Sequence, residues 1–257
     1  VTLDRAYSIS GPISVYAQNI TVSAQLAVIS STASITLKAT GFIQSAGGVN
    51  LRTAGGNVVL WADSDQSSQG HIQLSSSNTI CTGWDAAASS CSLAVGGDIV
   101  IGGGAADLLD AGLPGGAANG SGTTAPATTG VAMGPCVSSN PSAVNNVFST
   151  RGGDMIVRGA GTTANAGSPA IQPGVAFCAG TTMNMGTGRL EVSSQFRAVA
   201  AQYPSALWLS PWFSSTPGNS AVTINSSNSA SDAVDIRAWG SQFDYTSFGF
   251  GYNNTAG

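Results

Sequence analysis

The chain has 257 residues, of which 42% are hydrophobic but only 8% are charged, against a typical charged fraction of about 25%. The net charge is −4 and the basic residues are scattered, which argues against a nucleic-acid partner because no basic stripe exists to neutralise phosphates. No apolar run approaches the roughly 18 residues of a membrane span, so none is predicted. The polar surface must come from Ser, Thr, Asn, Gln and Gly, a composition common in extracellular fibres.

Short stretches of alternating apolar and polar residues follow one another through the first quarter of the chain. Their starting points are Ile13, Ile20, Val28, Ile35, Phe42, Val49 and Val58. The alternation is the period of a strand with one buried face. Steps of 7 to 9 residues are too short for crossover helices, and the corners lack the Asn-Gly or Asp-Gly turns of tight hairpins. These stretches therefore predict very short strands that do not fold back on one another.

Three successive strands per turn would stack every third stretch. The stacks predicted in this way are Ile13 on Ile35 and Val58, Ile20 on Phe42, and Val28 on Val49 and Ile72. A coil of about 22 residues with three faces is typical of a parallel β-helix. We therefore predict an all-β chain in which residues 1–257 form one elongated solenoid. Its inward residues are predicted to be Ile13, Val15, Ile20, Val22, Ile35, Leu37, Val49, Leu51, Val58, Leu60, Ile72 and Leu74.

The strand pattern returns with interruptions in the rest of the chain. Gly-Gly pairs precede the strands of GGDIVIGGG at Gly96 and RGGDMIVRG at Arg151, and glycine suits a sharp corner because it accepts positive φ without strain. Two stretches rich in Gly, Ala, Ser and Thr, residues 102–146 and 159–182, lack apolar periodicity. We predict that they are long loops inserted into the solenoid. A disordered linker is the alternative for residues 112–134.

The four cysteines lack the CxxC spacing of a zinc site. Cys81 and Cys91 flank a nine-residue loop, which makes a local disulfide geometrically easy, and Cys136 then pairs with Cys178 by elimination. Four free buried thiols are the alternative, because unpaired cysteine is a common core residue. An even number of cysteines in such a chain favours an oxidising compartment, so we expect a secreted or cell-surface protein.

Several of these repeats also resemble a known family. The phrases GGNVVLWADSD…GHIQL, GGDIVIGGG and ITVSAQLAVISSTASITLKATG resemble the repeat region of filamentous haemagglutinin-type proteins, the secreted bacterial exoproteins of two-partner secretion and related giant adhesins. The resemblance covers residues 10–105, returns at 152–158 and fades towards the C-terminus. It implies a right-handed parallel β-helix, export across the outer membrane, and a role in adhesion or as a stalk or fibre at the cell surface. It implies no catalytic residues.

Asp63 and Asp65 lie where a coil turns after Trp61. An Asp-x-Asp pair can bind calcium, with Ser67, Gln69, backbone carbonyls or water as further ligands. The alternative, which we favour, is that the aspartates cap turn amides through Asx-type hydrogen bonds. No cofactor or metal is predicted.

Parallel β-helices also carry polysaccharide-cleaving enzymes, whose sites cluster carboxylates with Arg or Lys on one face. The acids here are spread along the chain, and a surface ion pair explains the best local pair, Asp235 and Arg237. His71 is the only histidine, which leaves no room for a catalytic triad. We therefore expect no enzyme, with a polysaccharide lyase or glycoside hydrolase as the alternative.

Trp208, Trp212 and Phe213 form the densest aromatic patch in the sequence. Exposed aromatic rings can stack on sugars or dock a partner, so these residues are candidates for binding a host or environmental glycan or surface. The alternative is that Trp208 fills a widened core or lies under a loop.

The terminal stretches VTLDRAYSIS and FGFGYNNTAG lack the amphipathic helical pattern of a solenoid cap. We expect either end-to-end association into a filament or continuation in a longer chain. The sequence favours a structural or adhesive segment of a secreted bacterial surface fibre, with a carbohydrate-binding or polysaccharide-cleaving β-helix protein as the alternative.

Overall fold

The computed structural model describes residues 1–121, 128–134, 145–162, 173–178, 180–196, 207–209 and 222–239. All regular secondary structure in these residues is β. Three long sheets contain parallel strands from successive coils, and the chain passes from each sheet to the next. The predicted parallel β-helix is therefore confirmed. The described residues hold no helix that is long and apolar enough to cross a membrane.

Each coil contributes one strand to each of three sheets. Sheet 1 stacks β1 (Thr2–Leu3), β4 (Ile20–Val22), β7 (Ile43–Ser45), β10 (Ile72–Leu74), β17 (Val131–Met133), β20 (Val175–Phe177) and β23 (Leu207–Leu209). Sheet 2 stacks β2 (Tyr7–Ile9), β5 (Leu26–Val28), β8 (Asn50–Thr53), β11 (Thr79–Cys81), β18 (Val147–Ser149), β21 (Thr182–Gly186) and β24 (Thr223–Ser226). Sheet 3 stacks β3 (Ile13–Ala17), β6 (Ile35–Ala39), β9 (Val58–Ala62), β14 (Ile99–Ala106), β19 (Met155–Ala160), β22 (Leu190–Gln195) and β25 (Val234–Trp239).

Four further strands belong to insertions between the coils. β12 (Trp84–Asp85) and β13 (Ser90–Cys91) form a small antiparallel pair. β15 (Pro114–Gly116) pairs antiparallel with β14, and β16 (Ala118–Asn119) pairs parallel with β19. The insertion between β14 and β17, which contains β15 and β16, is therefore attached to sheet 3.

The interior is filled by columns of aliphatic side chains that run along the axis. In sheet 3, Ile13 pairs with Ile35 and Ile35 with Val58, as predicted. Ten of the twelve predicted inward residues are buried, while Ile13 and Val15, on the first coil, are half-buried against the same core. Alternation along each strand thus identified the buried face correctly.

The predicted stacking is wrong in sheets 1 and 2. Phe42 lies at a corner rather than in a strand, Val49 immediately precedes β8, and Ile72 belongs to sheet 1 rather than sheet 2. Corners of unequal length cause these errors. Phe42 and Val49 each lie one position before a strand, and the long turn after β9 leads into sheet 1, so the stretch at Ile72 is the next strand of that sheet. The observed pairs are Ile20 with Ile43, Ile43 with Ile72, and Val28 with Thr53.

The predicted loops are not continuous loops. Within 102–146, β17 completes a coil in sheet 1, and β15 and β16 pack on sheet 3. Within 159–182, β20 continues sheet 1. These strands are two or three residues long, too short to show a period in the sequence. In the range 112–134, for which a disordered linker was the alternative, the described parts 112–121 and 128–134 contain β15, β16 and β17.

Glycines stack closely where each coil turns from sheet 2 into sheet 3. A Cβ on Gly97 would meet the backbone of Gly56, one on Gly153 would overlap the carbonyl of Gly97, and one on Gly188 would overlap the carbonyl of Gly153. The sequence predicts these glycines on the ground that glycine tolerates a positive φ. In the RGGDMIVRG stretch this reason applies to Gly152, where φ is 113°, and not to Gly153. The close approach of neighbouring coils therefore explains the second glycine of each pair.

Side chains at the same corner tie each coil to the next. The hydroxyl of Ser34 accepts a hydrogen bond from the backbone N–H of Asn57 at 2.9 Å. The Asn57 Oδ1 accepts from Asp98 N–H, the Asp98 Oδ1 from Asp154 N–H, and the Asp154 Oδ1 from Arg189 N–H, each at 2.8 Å. This series fixes the register of five successive coils in sheet 3.

The predicted Cys81–Cys91 disulfide is confirmed. It joins the buried end of β11 to β13 and so closes the β12–β13 insertion against sheet 2. The Arg52 guanidinium lies 3.8 Å from the ring centroid of Trp84 and packs the same insertion onto the sheet. Cys178 is also disulfide-bonded, and Cys136, its predicted partner, lies outside the described residues.

Candidate functional site

A polar cleft of about 300 Å³ lies at the corner where coils turn from sheet 3 into sheet 1. Gln18 and Asn19 follow β3, and Thr40, Gly41 and Phe42 follow β6. The long turn after β9 contributes Asp65, Ser67 and Gln69, and the insertion after β16 contributes Ser121. The cleft thus draws on four successive coils, a distance of about 14 Å along the axis.

Asp63 organises the turn that forms one wall of the cleft. Its side chain is buried, and its backbone has a φ of 50°. Oδ1 accepts hydrogen bonds from the Ser67 hydroxyl at 3.1 Å and from the Gln69 N–H at 3.2 Å. Oδ2 accepts from the Asn119 side-chain amide at 2.6 Å. The carboxylate therefore holds the turn and the insertion together.

Asp65 has a different environment from Asp63. It is exposed, and its Oδ1 accepts a hydrogen bond from the Ser67 N–H at 3.3 Å. Across the described part of the chain, no group of three or more His, Cys, Asp or Glu side chains is placed to hold a metal ion. The two aspartates cap turn amides here, which is the arrangement of Asx turns.

Gly70 allows the insertion to approach the corner. The Gly70 N–H donates to the Asn119 carbonyl at 3.0 Å, and the Asn119 N–H donates back at 2.8 Å. A Cβ on Gly70 would lie 2.5 Å from both the Asp63 nitrogen and the Gly41 oxygen. Only glycine fits this crossing of three backbone segments, which brings Ser121 to the cleft.

His71 is buried next to the cleft, behind the lining residue Phe42. Its ring stacks on Phe42 with centroids 5.5 Å apart and planes at 26°. Nδ1 lies 3.0 Å from the Ser121 hydroxyl, and Nε2 lies 3.3 Å from the side-chain nitrogen of Gln44. Burial lowers the pKa of His71 from 6.5 to about 4, so the imidazole is neutral at physiological pH.

This burial predicts that acid destabilises the fold through His71. The unfolded chain binds a proton at its ordinary pKa of 6.5, whereas the folded imidazole resists protonation down to about 4. The neutral ring therefore makes its full contribution to the free energy of unfolding above pH 6.5. This contribution decreases as the pH falls towards 4, by about 3 kcal/mol in total. Urea denaturation across this pH range measures it.

The control for this measurement is His71→Gln, which removes the chain's single histidine. The variant should lose the pH dependence between 6.5 and 4 and keep the acid-induced loss that carboxylates cause at lower pH. Equal pH dependence in both proteins would contradict the prediction.

The cleft carries little charge and is rich in hydrogen-bonding groups. Its described lining residues include one carboxylate, on Asp65, and neither lysine nor arginine. Within the described chain, the side chains of Gln18, Thr40 and Gln69 make no hydrogen bond. The cleft therefore offers unused amide and hydroxyl groups beside the ring of Phe42, an arrangement suited to a polar, uncharged ligand.

The remaining acidic residues of sheet 3 are engaged in ion pairs. Arg237 binds Asp235 on the exposed outer face. On the neighbouring coils, Arg158 lies 3.1 Å from Glu191 and 3.8 Å from Asp107. The predicted Asp235–Arg237 pair is thus one of several ion pairs on this face.

The predicted aromatic site falls largely beyond what the structure describes. Trp212 and Phe213 lie outside the described residues, as does the side chain of Trp208, although its backbone lies in β23. Trp61 is instead the buried tryptophan of sheet 3. The Lys38 ammonium lies 3.4 Å from its ring centroid, and its Nε1 donates to the Gly104 carbonyl at 2.9 Å.

Two leucines that sequence analysis did not single out stand fully exposed. Leu108 and Leu109 occupy the turn between β14 and β15 and bury essentially no surface. The Asp107 Oδ1 accepts hydrogen bonds from the N–H groups of Leu109 at 2.8 Å and Asp110 at 3.4 Å, and these bonds lower the pKa of Asp107. The conformation of the turn is thus stabilised by hydrogen bonds to its own aspartate.

Comparison with known protein families, curated proteins and solved structures finds no match to this chain.

Proposed function

We propose that this chain is a structural and adhesive segment of a secreted bacterial surface fibre. The observation that carries the proposal is the stack of seven coils in the described residues, whose three parallel sheets share one aliphatic core along the axis. Such a stack resists bending, because bending would separate hydrogen-bonded strands on one side and compress the packed core on the other. The fold therefore supplies a stiff rod.

The surface chemistry supports an extracellular setting. Only 8% of the residues are charged, so little repulsion opposes side-by-side or end-to-end contact. The Cys81–Cys91 disulfide persists in an oxidising compartment. The turn that presents Leu108 and Leu109 to solvent offers a contact point, because exposed apolar surface of this kind marks interaction sites.

Electron microscopy and surface labelling of the source cells test the proposal. Seven coils span only about 34 Å, so fibres much longer than this, labelled by an antibody against this segment on intact cells, are expected. Denaturing electrophoresis then distinguishes a longer polypeptide from stacked copies. An intracellular protein with reduced cysteines, or short particles without surface labelling, would contradict the proposal.

Carbohydrate binding is a second candidate function, favoured by one observation. The corner cleft carries unused amide and hydroxyl groups beside an aromatic ring, which is the chemistry that lectin sites use for uncharged sugars.

A further inference from the structure

We propose that the corner cleft binds a neutral saccharide and is the adhesive contact of the rod. The inference rests on the proposed adhesive function and names its ligand. The residues concerned are Gln18, Asn19, Thr40, Phe42, Gln69 and Ser121.

Charge selects against ionic ligands. A uronate, sialate or phosphate would find no lysine or arginine among the described lining residues, and would meet the carboxylate of Asp65. The buried imidazole of His71 offers no positive charge either, since burial keeps its pKa at about 4. A cationic amino sugar would find only the single exposed carboxylate, whose attraction is weak in water. An uncharged ligand avoids the repulsion from Asp65 and forgoes only this weak attraction.

The hydrogen-bonding groups match a polyhydroxylated ring. The side chains of Gln18 and Gln69 each provide an amide donor and acceptor with no partner among the described residues, and Thr40 adds a hydroxyl in the same state. Neighbouring hydroxyls on a sugar ring both donate and accept, so they can satisfy amides and hydroxyls together. A purely apolar ligand would leave these groups unpaired at a cost.

Phe42 supplies the apolar part of the site. Its ring is half-buried and is fixed by stacking on His71, with centroids 5.5 Å apart. The Asn19 Oδ1 accepts a hydrogen bond from the Phe42 N–H at 3.1 Å, which anchors the backbone as well. The C–H face of a pyranose ring can therefore pack on an aromatic surface that does not have to reorganise.

The other side of the cleft is equally preorganised. The Asp63 carboxylate accepts a hydrogen bond from the Gln69 N–H, and the Ser121 hydroxyl lies 3.0 Å from the Nδ1 of His71. The backbone of this turn and the Ser121 hydroxyl therefore need little ordering on binding, whereas the exposed side chains of Gln18 and Gln69 lose rotamer freedom when they bind the sugar. Because the lining residues come from successive coils, the cleft runs along the axis of the solenoid.

Saturation-transfer NMR and calorimetry on the purified chain test the inference. The probes are the methyl glycosides of glucose, galactose, mannose and N-acetylglucosamine, with galacturonate and glucosamine as charged comparators. At least one neutral glycoside is expected to bind and to shift the ring protons of Phe42. The double variant Gln18→Ala/Gln69→Ala should weaken binding by roughly tenfold or more. Both substitutions leave the fold's own hydrogen bonds intact.

Gln73→Ala is the matched control. Gln73 lies on β10 beside the site but is not among the residues that line the cleft, so its replacement should leave binding unchanged. Preference for a charged comparator, equal losses in the control and the double variant, or no binding across the panel would overturn the inference. If any of these results is obtained while surface fibres are present, only the assignment of a neutral saccharide to the cleft is rejected. Sugar binding without surface fibres would reject the fibre function instead.

Discussion

Replacing Gly153 by alanine is expected to lower the free energy of unfolding by about 3 kcal/mol or more. A Cβ at this position would overlap the carbonyl group of Gly97 in the preceding coil. Backbone cannot move aside as a flexible side chain can, and Gly188 stacks on Gly153 from the next coil. The corner must therefore open, and the hydrogen bond from Asp154 N–H to the Asp98 carboxylate would be strained with it. Urea denaturation monitored by circular dichroism measures the loss.

Gly11→Ala is the control for this substitution. Nothing lies within 4 Å of a Cβ built on Gly11, so alanine there should change stability by less than about 0.5 kcal/mol. Equal stability of the two variants would show that the coils can spread apart at the Gly153 corner without cost.

Asp63→Ala is expected to destabilise the chain by about 3 kcal/mol, because it removes the acceptor of three hydrogen bonds at a buried site. Ser67 and the Gln69 N–H lose this acceptor, whereas Asn119 keeps its amide bond to the Ala117 carbonyl and its backbone pair with Gly70. Asp63→Asn should cost less, since its amide oxygen can still accept hydrogen bonds from Ser67 and Gln69. It should still cost something, because its amide nitrogen would face the amide nitrogen of Asn119 and lose that hydrogen bond. Thermal and urea denaturation give the ranking.

Asp65→Ala provides the matched comparison from the same Asp-x-Asp sequence. Asp65 is exposed and accepts a single backbone hydrogen bond at 3.3 Å, so its loss should stay within about 0.5 kcal/mol. Similar effects of the two substitutions, with a melting temperature that falls when a chelator is added, would instead identify a calcium site.

The fold was predictable because its dominant signal is local. Alternation in stretches such as ITLKA identifies both the strand and its buried face, and the short steps between stretches leave no room for helices. Register was less predictable because it depends on how many residues each corner absorbs. Phe42 illustrates the problem. Its apolar side chain fits the alternating pattern of a strand, but the residue lies one position before β7 and packs on His71.

The cleft could not be predicted because its residues are brought together only by winding. Gln18 and Ser121 are more than a hundred residues apart in the chain, and the insertion that supplies Ser121 gave no strand signal. In the sequence, His71 stands out only as the single histidine, which leaves no room for a catalytic triad, whereas in the fold its buried ring supports Phe42. The available signal was Gly70 directly before the histidine, since an isolated glycine beside a strand often marks close backbone approach.

The winding of the chain determines how the molecule responds to tension. Between Ile35 and Val58 the chain uses 23 residues to advance by about 4.8 Å along the axis. If pulling detaches that coil, the same residues extend to about 80 Å. The coil closed by the Cys81–Cys91 disulfide releases less, because the residues inside the bridge stay out of the load path. Under force, the rod would therefore lengthen in large discrete steps, one coil at a time, dissipating energy before its covalent chain is loaded.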